Sequence, residues 1–450
     1  MTLRETLGLH VAAPMIGRLA RRGKAQTAGR LMARLVSPPP MDAPTRLLTL
    51  PKPGFTQDAQ AAFSGDSRVA VLGFNRAYVK APYPSFLPPE VDDNNYRSAA
   101  PEYDAPKAAL REFWAQAWPH IQNRARADAV LTGNFGYFAE QELADVVEAQ
   151  GTPFIAMHKE SLKTPGRQVF FERLYRTRRQ PFPGRRILVY NTIERDVQVA
   201  AGIAPSENIS VCGMPRLDAL HAWRVQAAHD TDPPARPMVL MFSFHPKTGL
   251  PFIPRKPGGP QGRMESLGAD EQALAWTTLH LEFHKAAARL ARENPDLDVV
   301  VKGKADLPKW LKETTGGSLD FDDLPNLRVV VGGDPHDLIK AASVITGFGT
   351  TALLEALAAG KRVVLPQFAE AATGDTVPFV LDLAGAAEIA GSVDDFVDRL
   401  LRGAQVDPTP AEHLAPESIE ILDIWAGNSD GGAGARVAQA VLDEIAAAQS

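Results

Sequence analysis

The chain has 450 residues, 45% of them hydrophobic and 22% charged, with a net charge of −5 at pH 7. This composition is typical of a globular protein and excludes collagen, coiled coil and wholesale disorder, and the length favours two domains. The single cysteine, Cys212, excludes an internal disulfide framework and a multi-cysteine metal centre. The negative charge argues against nucleic acid as a partner. With no apolar run of membrane-spanning length and no secretory signal, we expect a cytoplasmic protein.

Two segments are basic within this acidic chain. Residues 1–50 hold eight Lys or Arg against two acidic residues, with apolar residues interleaved. They predict either an amphipathic segment peripheral on the inner membrane or surface helices packed on the protein. Residues 163–186 hold eight more basic residues against the single acid Glu172. Their candidate partners are the membrane surface or an anionic acceptor, and a solvated Arg-rich helix is the alternative.

Short apolar runs alternate with longer amphipathic ones from residue 68 onward. The predicted strands are 68–72, 129–132, 153–157, 186–190 and 209–212. The predicted helices are 105–124, 137–150 and 193–200. Continuous apolar strands separated by helices are typical of a buried, mostly parallel sheet.

The alternation stops at residues 225–237, a polar, proline-bearing stretch that predicts a linker, and then restarts. The strands predicted after it are 238–244, 297–302, 327–331, 343–346 and 361–365. The helices are 270–293, 336–341, 350–359, 393–403 and 434–447. We therefore expect an α/β protein with two Rossmann-like doubly wound domains, 51–228 and 229–450, facing a central cleft. Ligands of such sheets bind beyond the carboxyl ends of the strands.

A candidate phosphate site lies in the second domain, where a strand, a glycine turn, a hydroxyl pair and a helix follow one another. Gly347 and Gly349 allow a tight turn close to a ligand. Thr350 and Thr351 stand where the next helix is expected to begin, with Thr350 as its N-cap. Glu355, one turn further on, is the candidate to hold ribose hydroxyls.

Cationic and polar residues follow the neighbouring strands and extend this candidate donor site. They are Ser243, His245 and Lys247 after the strand 238–244, Lys302 and Lys304 after the strand 297–302, and His336 after the strand 327–331. Lysines at strand ends can neutralise a nucleotide diphosphate without a metal. We therefore expect no metal site and no cofactor, and a nucleotide-activated donor as substrate.

The loops of the first domain carry the candidates for the acceptor side. A general base near pH 7 is normally a histidine or an adjusted carboxylate, and Glu160 and His158 follow a predicted strand. His158 could equally be a buried structural histidine. Asn134, Tyr137 and Arg216 lie in the loops after neighbouring strands and are predicted to bind the acceptor.

Two motifs resemble those of known families. Residues 211–218 (VCGMPRLD) resemble the Gly-x-Pro-Arg-x-Asp element of CDP-glycerol glycerophosphotransferase-like and capsule polysaccharide synthesis proteins. Residues 343–366 resemble the donor-binding element of those proteins and of other GT-B glycosyltransferases. The resemblance implies a GT-B-like fold with the donor in the C-terminal domain and the acceptor in the N-terminal one. It also implies synthesis of cell-surface glycans at the inner membrane face.

The sequence departs from these families in two places. Lys302-Gly303-Lys304 stands where the glycerophosphotransferases carry Lys-x-His-Pro, and Thr350-Thr351 replaces the usual serine pair. Both changes favour a sugar donor, CMP- or UDP-linked, over glycerol phosphate.

The resulting hypothesis is a metal-independent glycosyltransferase that acts on a glycan or lipid-linked acceptor. Three alternatives stay open: glycerophosphotransferase-type polymer synthesis, a sugar-nucleotide epimerase, and a non-catalytic polysaccharide-assembly protein. A dehydrogenase and a serine hydrolase are disfavoured because the dinucleotide fingerprint and the Gly-x-Ser-x-Gly elbow are missing.

Overall fold

Two six-stranded sheets, in which every neighbouring pair of strands is parallel, form the framework of the protein. The computed structural model describes residues 8–36, 44–52, 54–93, 95–98, 100–229, 236–251, 273–304, 307, 311, 321 and 323–450. Parts of three predicted segments lie outside these residues: 1–7 and 37–43 of the basic segment, 230–235 of the linker and 270–272 of a helix.

The first sheet has the strand order β2-β1-β3-β4-β5-β6. Its strands are β1 (Thr45–Thr49), β2 (Val69–Gly73), β3 (Ala129–Thr132), β4 (Phe154–His158), β5 (Arg186–Val189) and β6 (Ile209–Val211). The helices up to this point are α1 (Ala13–Arg21), α2 (Ala25–Leu35), α3 (Phe55–Phe63), α4 (Arg76–Lys80), α5 (Asp104–Ala125), α6 (Gln141–Ala149), α7 (Pro165–Arg176) and α8 (Thr192–Ala200). Every residue of β3 and β4 is buried, as expected of strands covered on both faces.

The second sheet has the order β12-β11-β10-β7-β8-β9. Its strands are β7 (Met238–Phe242), β8 (Asp298–Gly303), β9 (Leu327–Val331), β10 (Val344–Gly347), β11 (Arg362–Pro366) and β12 (Glu388–Ala390). The remaining helices are α9 (Asp218–Ala227), α10 (Thr277–Glu293), α11 (His336–Ala341), α12 (Ala352–Ala358), α13 (Val393–Ala404), α14 (Pro416–Ala426) and α15 (Ala433–Gln449). The strand orders confirm the expected fold of two doubly wound α/β units.

The N-terminal basic segment contains one strand that was not predicted, and its helices agree with the alternative of surface helices packed on the protein. Residues Thr45–Thr49 form β1, which pairs with both β2 and β3 inside the first sheet. Helices α1 and α2 are docked on the protein, where Ile16, Ala28 and Met32 are fully buried. The apolar face that could have entered a membrane is therefore covered by the chain itself, while the basic side chains stay exposed.

The second basic stretch, residues 163–186, is not one continuous cationic face. Five of its eight basic residues form ion pairs with carboxylates. The pairs are Lys163 with Glu194, Arg176 with Glu172, Arg179 with Asp104, Arg185 with Glu148, and Arg186 with Glu444. The contact of this stretch with a membrane surface or an anionic acceptor stays a prediction. Among the described residues no helix is long and apolar enough to cross a membrane.

The last helix, α15, returns to the first sheet instead of completing the second. Val437 and Val441 share a core cluster with Leu47 of β1 and Leu131 of β3. Asp218 accepts a hydrogen bond from the Gly434 backbone N–H at 2.7 Å. It thereby holds the start of α15, so a simple division at residue 228 does not describe the packing.

Candidate active site

A cavity of about 250 Å³ lies between the two sheets, at the carboxyl ends of the strands of the second one. The C-terminal unit contributes most of its lining, and Gln57 and Arg216 close it from the N-terminal unit. The C-terminal lining residues are Phe242, Ser243, Lys302, Gly303, Lys304, Pro335, Thr350, Thr351, Ala352 and Glu355. In this sheet the chain runs from β7 to β8 and β9 on one side and then crosses to β10 on the other. The cavity therefore opens at the topological switch point, where doubly wound sheets bind ligands.

The two lysines predicted to bind phosphate both line this cavity. Lys302 ends β8, and its Nζ donates a hydrogen bond to the carbonyl of Gly332 at 2.7 Å. Burial lowers the pKa of Lys302, against an opposing effect of Asp334. A partly desolvated ammonium attracts an anion more strongly than one in water. Lys304 is exposed at the edge of the same cavity.

Ser243 presents its hydroxyl to the cavity in an orientation set by a buried histidine. Its Oγ lies 2.9 Å from Nε2 of His284, whose Nδ1 lies 2.7 Å from the carbonyl of His280. Since a carbonyl only accepts, Nδ1 carries the proton and Nε2 accepts from Ser243. Burial lowers the pKa of His284 to about 3, so the ring stays neutral. Ser243 is thus left with lone pairs to accept a hydrogen bond from a ligand.

The glycine turn after β10 brings the backbone close to the cavity. A Cβ on Gly347 would lie 2.9 Å from Cβ of Phe242, and Gly349 has a φ of +59° that favours glycine. Helix α12 begins at Ala352, two residues later than predicted, with Thr351 as its N-cap residue. Thr350 nevertheless accepts a hydrogen bond from the Ala352 N–H at 3.3 Å.

Arg216 connects the two units at the wall of the cavity. Its Nε lies 3.3 Å from Oε1 of Glu355, and its Nη1 lies 3.7 Å from Oδ2 of Asp58. Tyr190 donates a hydrogen bond to the same Asp58 carboxylate. Glu355 also lies 3.6 Å from Nε2 of His336. Burial alone would lower the pKa of Arg216, but Tyr190, Asp58 and Glu355 raise it, so the guanidinium is firmly charged. Arg216, predicted for the acceptor, thus lines the cavity with the donor candidates.

Glu160 lies at the carboxyl end of the first sheet, beside the switch point between β1 and β3. Its Oε2 accepts a hydrogen bond from Nδ2 of Asn134 at 3.2 Å, so these two candidates lie together. Burial would raise the pKa of Glu160, but the charges of His158, Lys163, Lys159 and Lys52 lower it. The carboxylate is therefore ionised and able to accept a proton, although as a weaker base than an unperturbed one.

His158 and Tyr137 are placed inside the first unit. The side chain of His158 is 1% exposed, and its Nε2 lies 3.1 Å from Oε1 of Glu194. Tyr137 is buried, with its ring between the Lys52 ammonium at 4.2 Å and the Arg76 guanidinium at 3.8 Å. Because both rings are buried against other side chains, neither can meet an acceptor in this conformation. The geometry favours the structural alternative for His158 and leaves Glu160 as the exposed candidate.

Three further donor candidates, His245, Lys247 and His336, do not line the cavity. Lys247 turns away, with Nζ donating to the carbonyl of Leu274 at 2.6 Å. The Nδ1 of His245 accepts a hydrogen bond from the Lys247 N–H at 3.1 Å, within its own loop. His336 contacts the site through Glu355, since its Nε2 lies 3.6 Å from the Glu355 carboxylate. Its neighbour Pro335 lines the wall of the cavity.

The sequence analysis missed the residues that follow β1. Lys52 lies on the ring of Tyr137, and Gly54 approaches Lys159 and Arg216 so closely that a Cβ there would lie 3.3 to 3.4 Å from their side chains. Gln57 then lines the cavity. The apolar run Leu47–Leu48 was the available signal, but it lay in the segment that we assigned to a basic amphipathic helix.

Comparison with known proteins gives structural similarity only. No protein-family model and no curated protein matches the chain. Among solved structures, the UDP-GlcNAc 2-epimerase of Neisseria meningitidis is 12% identical, covering 89% of this chain and 100% of that one, with a TM-score of 0.47. The α,α-trehalose 6-phosphate synthase of Burkholderia multivorans is 14% identical, covering 90% and 98%, with a TM-score of 0.46. Anabaena Alr3699/HepE, solved with UDP and glucose, is 11% identical, covering 90% and 100%, with a TM-score of 0.43.

Proposed function

We propose that the protein is a metal-independent glycosyltransferase that moves a sugar from a nucleotide-activated donor to a glycan or lipid-linked acceptor. The observation that carries this proposal is the cavity at the switch point of the second sheet. There two lysines, the hydroxyls of Ser243, Thr350 and Thr351, and one carboxylate line a single space. Ammonium groups and hydroxyls suit the phosphates of a nucleotide, and the carboxylate of Glu355 suits ribose hydroxyls.

Negative charge develops on the leaving nucleotide when the bond to the sugar breaks. In this proposal Lys302 and Lys304 stabilise that charge electrostatically. Arg216 keeps Glu355 in place and links the two units at the cleft. Glu160, held by Asn134, accepts the proton of the acceptor hydroxyl. Cell-envelope polysaccharide synthesis and attachment to the inner membrane surface belong to the same proposal and are supported by the motif resemblance and by the exposed basic side chains of α1 and α2.

Nucleotide binding by Lys302→Gln tests the donor site. Calorimetric titration with CMP, CDP, UDP, GDP, ADP and dTDP should identify one preferred nucleotide. Losing one charge-assisted contact of about 1.5–3 kcal/mol should weaken its Kd roughly 10- to 100-fold in the variant. Lys285→Gln, which removes a surface ammonium paired with Glu282, is the matched control and should bind like the wild type. If no nucleotide binds to the wild type, the donor site is wrong.

Turnover separates the transferase from its alternatives. With the sugar-linked form of the preferred nucleotide, Glu160→Gln should keep the donor Kd and lose acceptor-dependent nucleotide release. Formation of an epimer without acceptor would establish the epimerase alternative instead. Binding without any turnover in the presence of candidate acceptors would favour the non-catalytic assembly protein.

A further inference from the structure

Two adjoining cavities on the N-terminal unit lie apart from the cleft and share Arg97, Arg111 and Gln180. The first, of about 230 Å³, is lined by Arg97, Asp104, Lys107, Ala108, Arg111, Glu142, Arg179 and Gln180. The second, of about 410 Å³, is lined by Arg97, Arg111, Asp145, Gln180, Pro181, Phe182 and Pro183. None of these residues lines the cleft cavity. The two cavities together are called the cationic pocket below.

The mouth and the floor of the cationic pocket differ in how their charges are balanced. At the mouth, the side chains of Arg111 and Arg179 are 45% and 39% exposed, and they pair with Glu142 and Asp104, each at 2.7 Å. On the floor, Arg97 and Lys107 are both 7% exposed. Within the described part of the chain no ion pair joins Arg97 or Lys107 to a carboxylate. Together the two cavities are lined by four cations and three carboxylates, the latter being Asp104, Glu142 and Asp145, so the lining carries one surplus positive charge.

Arg97 is incompletely satisfied by the protein. Its Nε donates to Oε1 of Gln141 at 2.8 Å, and its Nη1 donates to Oε1 of Gln180. Its Nη2 is buried and, among the described residues, meets no hydrogen-bond acceptor. A buried charged donor without an acceptor costs more than the roughly 1–3 kcal/mol of a neutral one. An anion beside Nη2 would remove that cost.

Lys107 adds a second cation to the same floor. Its Nζ donates to the carbonyl of Tyr96 at 2.6 Å and lies 4.7 Å from the centre of the Tyr96 ring. Burial, followed by the nearby charge of Arg179, lowers the pKa of Lys107 to about 8. Asp104 and Glu142 oppose this shift, and Arg97 adds to it. A bound anion would hold the ammonium in its charged form.

We propose that the cationic pocket binds the phosphate group of a small phosphomonoester. The phosphate oxygens accept hydrogen bonds from Arg97 Nη2 and from Lys107, with Arg111 and Arg179 at the mouth. The organic part lies in the second cavity, against Pro181, Phe182 and Pro183. This site stands on its own observations and does not depend on the proposed function of the cleft.

The pocket also contacts the loop that carries Asn134. Gln141 Oε1, which holds Arg97, accepts a second hydrogen bond at 3.2 Å from Nη2 of Arg178. The Arg178 guanidinium in turn lies 5.1 Å from the centre of the Phe135 ring. Gln141 and Arg178 therefore connect the pocket to the loop that carries the candidate acceptor residue Asn134.

Calorimetric titration of the full chain with glucose 1-phosphate and with inorganic phosphate tests the site. Arg97→Gln should weaken the Kd for glucose 1-phosphate at least tenfold. Arg124→Gln, which removes an exposed arginine on helix α5, the helix that also carries Lys107 and Arg111, is the matched control and should bind like the wild type. Lys302→Gln should keep this binding event, which separates it from phosphate binding in the cleft. Equal binding by the wild type and Arg97→Gln would overturn the proposal.

A second variant covers the risk that Arg97→Gln does not fold. Arg179→Gln removes a half-exposed arginine at the mouth and should fold normally while weakening glucose 1-phosphate binding several-fold. Unchanged binding by a folded Arg179→Gln variant would contradict the assignment. Binding of inorganic phosphate as tight as that of the ester would overturn the part of the proposal that concerns the organic group.

Titration with sulfate at several pH values gives a readout that loss of fold would not produce. Sulfate keeps its charge across this range, so a change in affinity reports on the protein. Because the pKa of Lys107 is about 8 in the free protein, sulfate affinity should be constant below that pH and fall above it. Lys107→Gln should bind sulfate weakly and without this fall. If the sulfate affinity of the wild type does not depend on pH, Lys107 does not bind the anion and its assignment to the site is wrong.

Discussion

Single residues of the first unit show how burial separates structural from reactive side chains. His158 and Glu160 are two positions apart, yet the first is buried against Glu194 and the second is exposed beside Asn134. In the sequence both simply follow a strand, and nothing there indicates that Glu194 of α8 reaches His158. A candidate base can thus be located by its loop, but its accessibility depends on the packing of a distant helix.

Glu194 should be a major contributor to stability at neutral pH. It lies 3.0 Å from Lys163 and 3.1 Å from His158, and all three are buried. Although burial alone would raise its pKa, Lys163 and His158 lower the pKa of Glu194 to about 2. Removing one partner of a buried ion pair costs about 3–5 kcal/mol. Glu194→Gln should therefore lower the free energy of unfolding at pH 7 by about that amount, as measured with urea.

The pH dependence of this loss of stability follows from the lowered pKa of Glu194. The carboxylate is favoured in the folded state, so its contribution is complete above the ordinary pKa of 4.5 and is lost as the pH falls toward 2. The difference in free energy of unfolding between the wild type and Glu194→Gln should thus be constant from pH 7 to about 5 and should become smaller below pH 5. Glu172→Gln, which breaks an exposed pair with Arg176, is the control and should change stability little. A difference that widens toward acid pH would contradict this account.

At the scale of elements, the sequence predicts mainly apolar strands well and mixed ones poorly. The runs 129–132 and 238–242 are recognisable because all their residues except Thr132 are apolar, as expected of strands buried on both faces. Strand β1 contains Thr45, Arg46 and Thr49 around only two leucines. It was missed, and with it the loop that carries Lys52 and Gly54. The cleft residues of the second unit were predictable because their strands were.

The contact between α2 and α5 explains why the N-terminal helices belong to the folded protein. A Cβ on Gly29 would lie 2.5 Å from the carbonyl oxygen of Ala117, a backbone atom that cannot turn aside. Gly29→Ala should therefore force the helices apart and lower the free energy of unfolding by roughly 1–3 kcal/mol. Gly65→Ala, with open space around its Cβ, is the matched control and should be neutral. Equal urea midpoints for the two variants would show that α2 is not packed in this way.

At the scale of the whole molecule, the same docking changes how the protein could meet a membrane. With Ile16, Ala28 and Met32 buried, α1 and α2 keep no continuous apolar face for insertion, and Met15 is the large apolar side chain that stays exposed on them. Six basic side chains remain exposed on them and on their connection, namely Arg18, Arg21, Arg22, Lys24, Arg30 and Arg34. Each such charge can contribute about 1 kcal/mol at an anionic surface, within a Debye length. Any attachment through this segment must then be electrostatic.

We therefore expect flotation with anionic vesicles at low salt and release at 0.5 M salt, where the Debye length falls to about 4 Å. Replacing Arg18, Arg21 and Arg22 by glutamine should release most of the protein at low salt without changing its melting temperature, because these side chains are exposed. Vesicles of neutral lipid should not bind it. Attachment that survives high salt, or that occurs equally on neutral vesicles, would mean that apolar residues enter the bilayer, and the packing of α1 and α2 would have to open for that to happen.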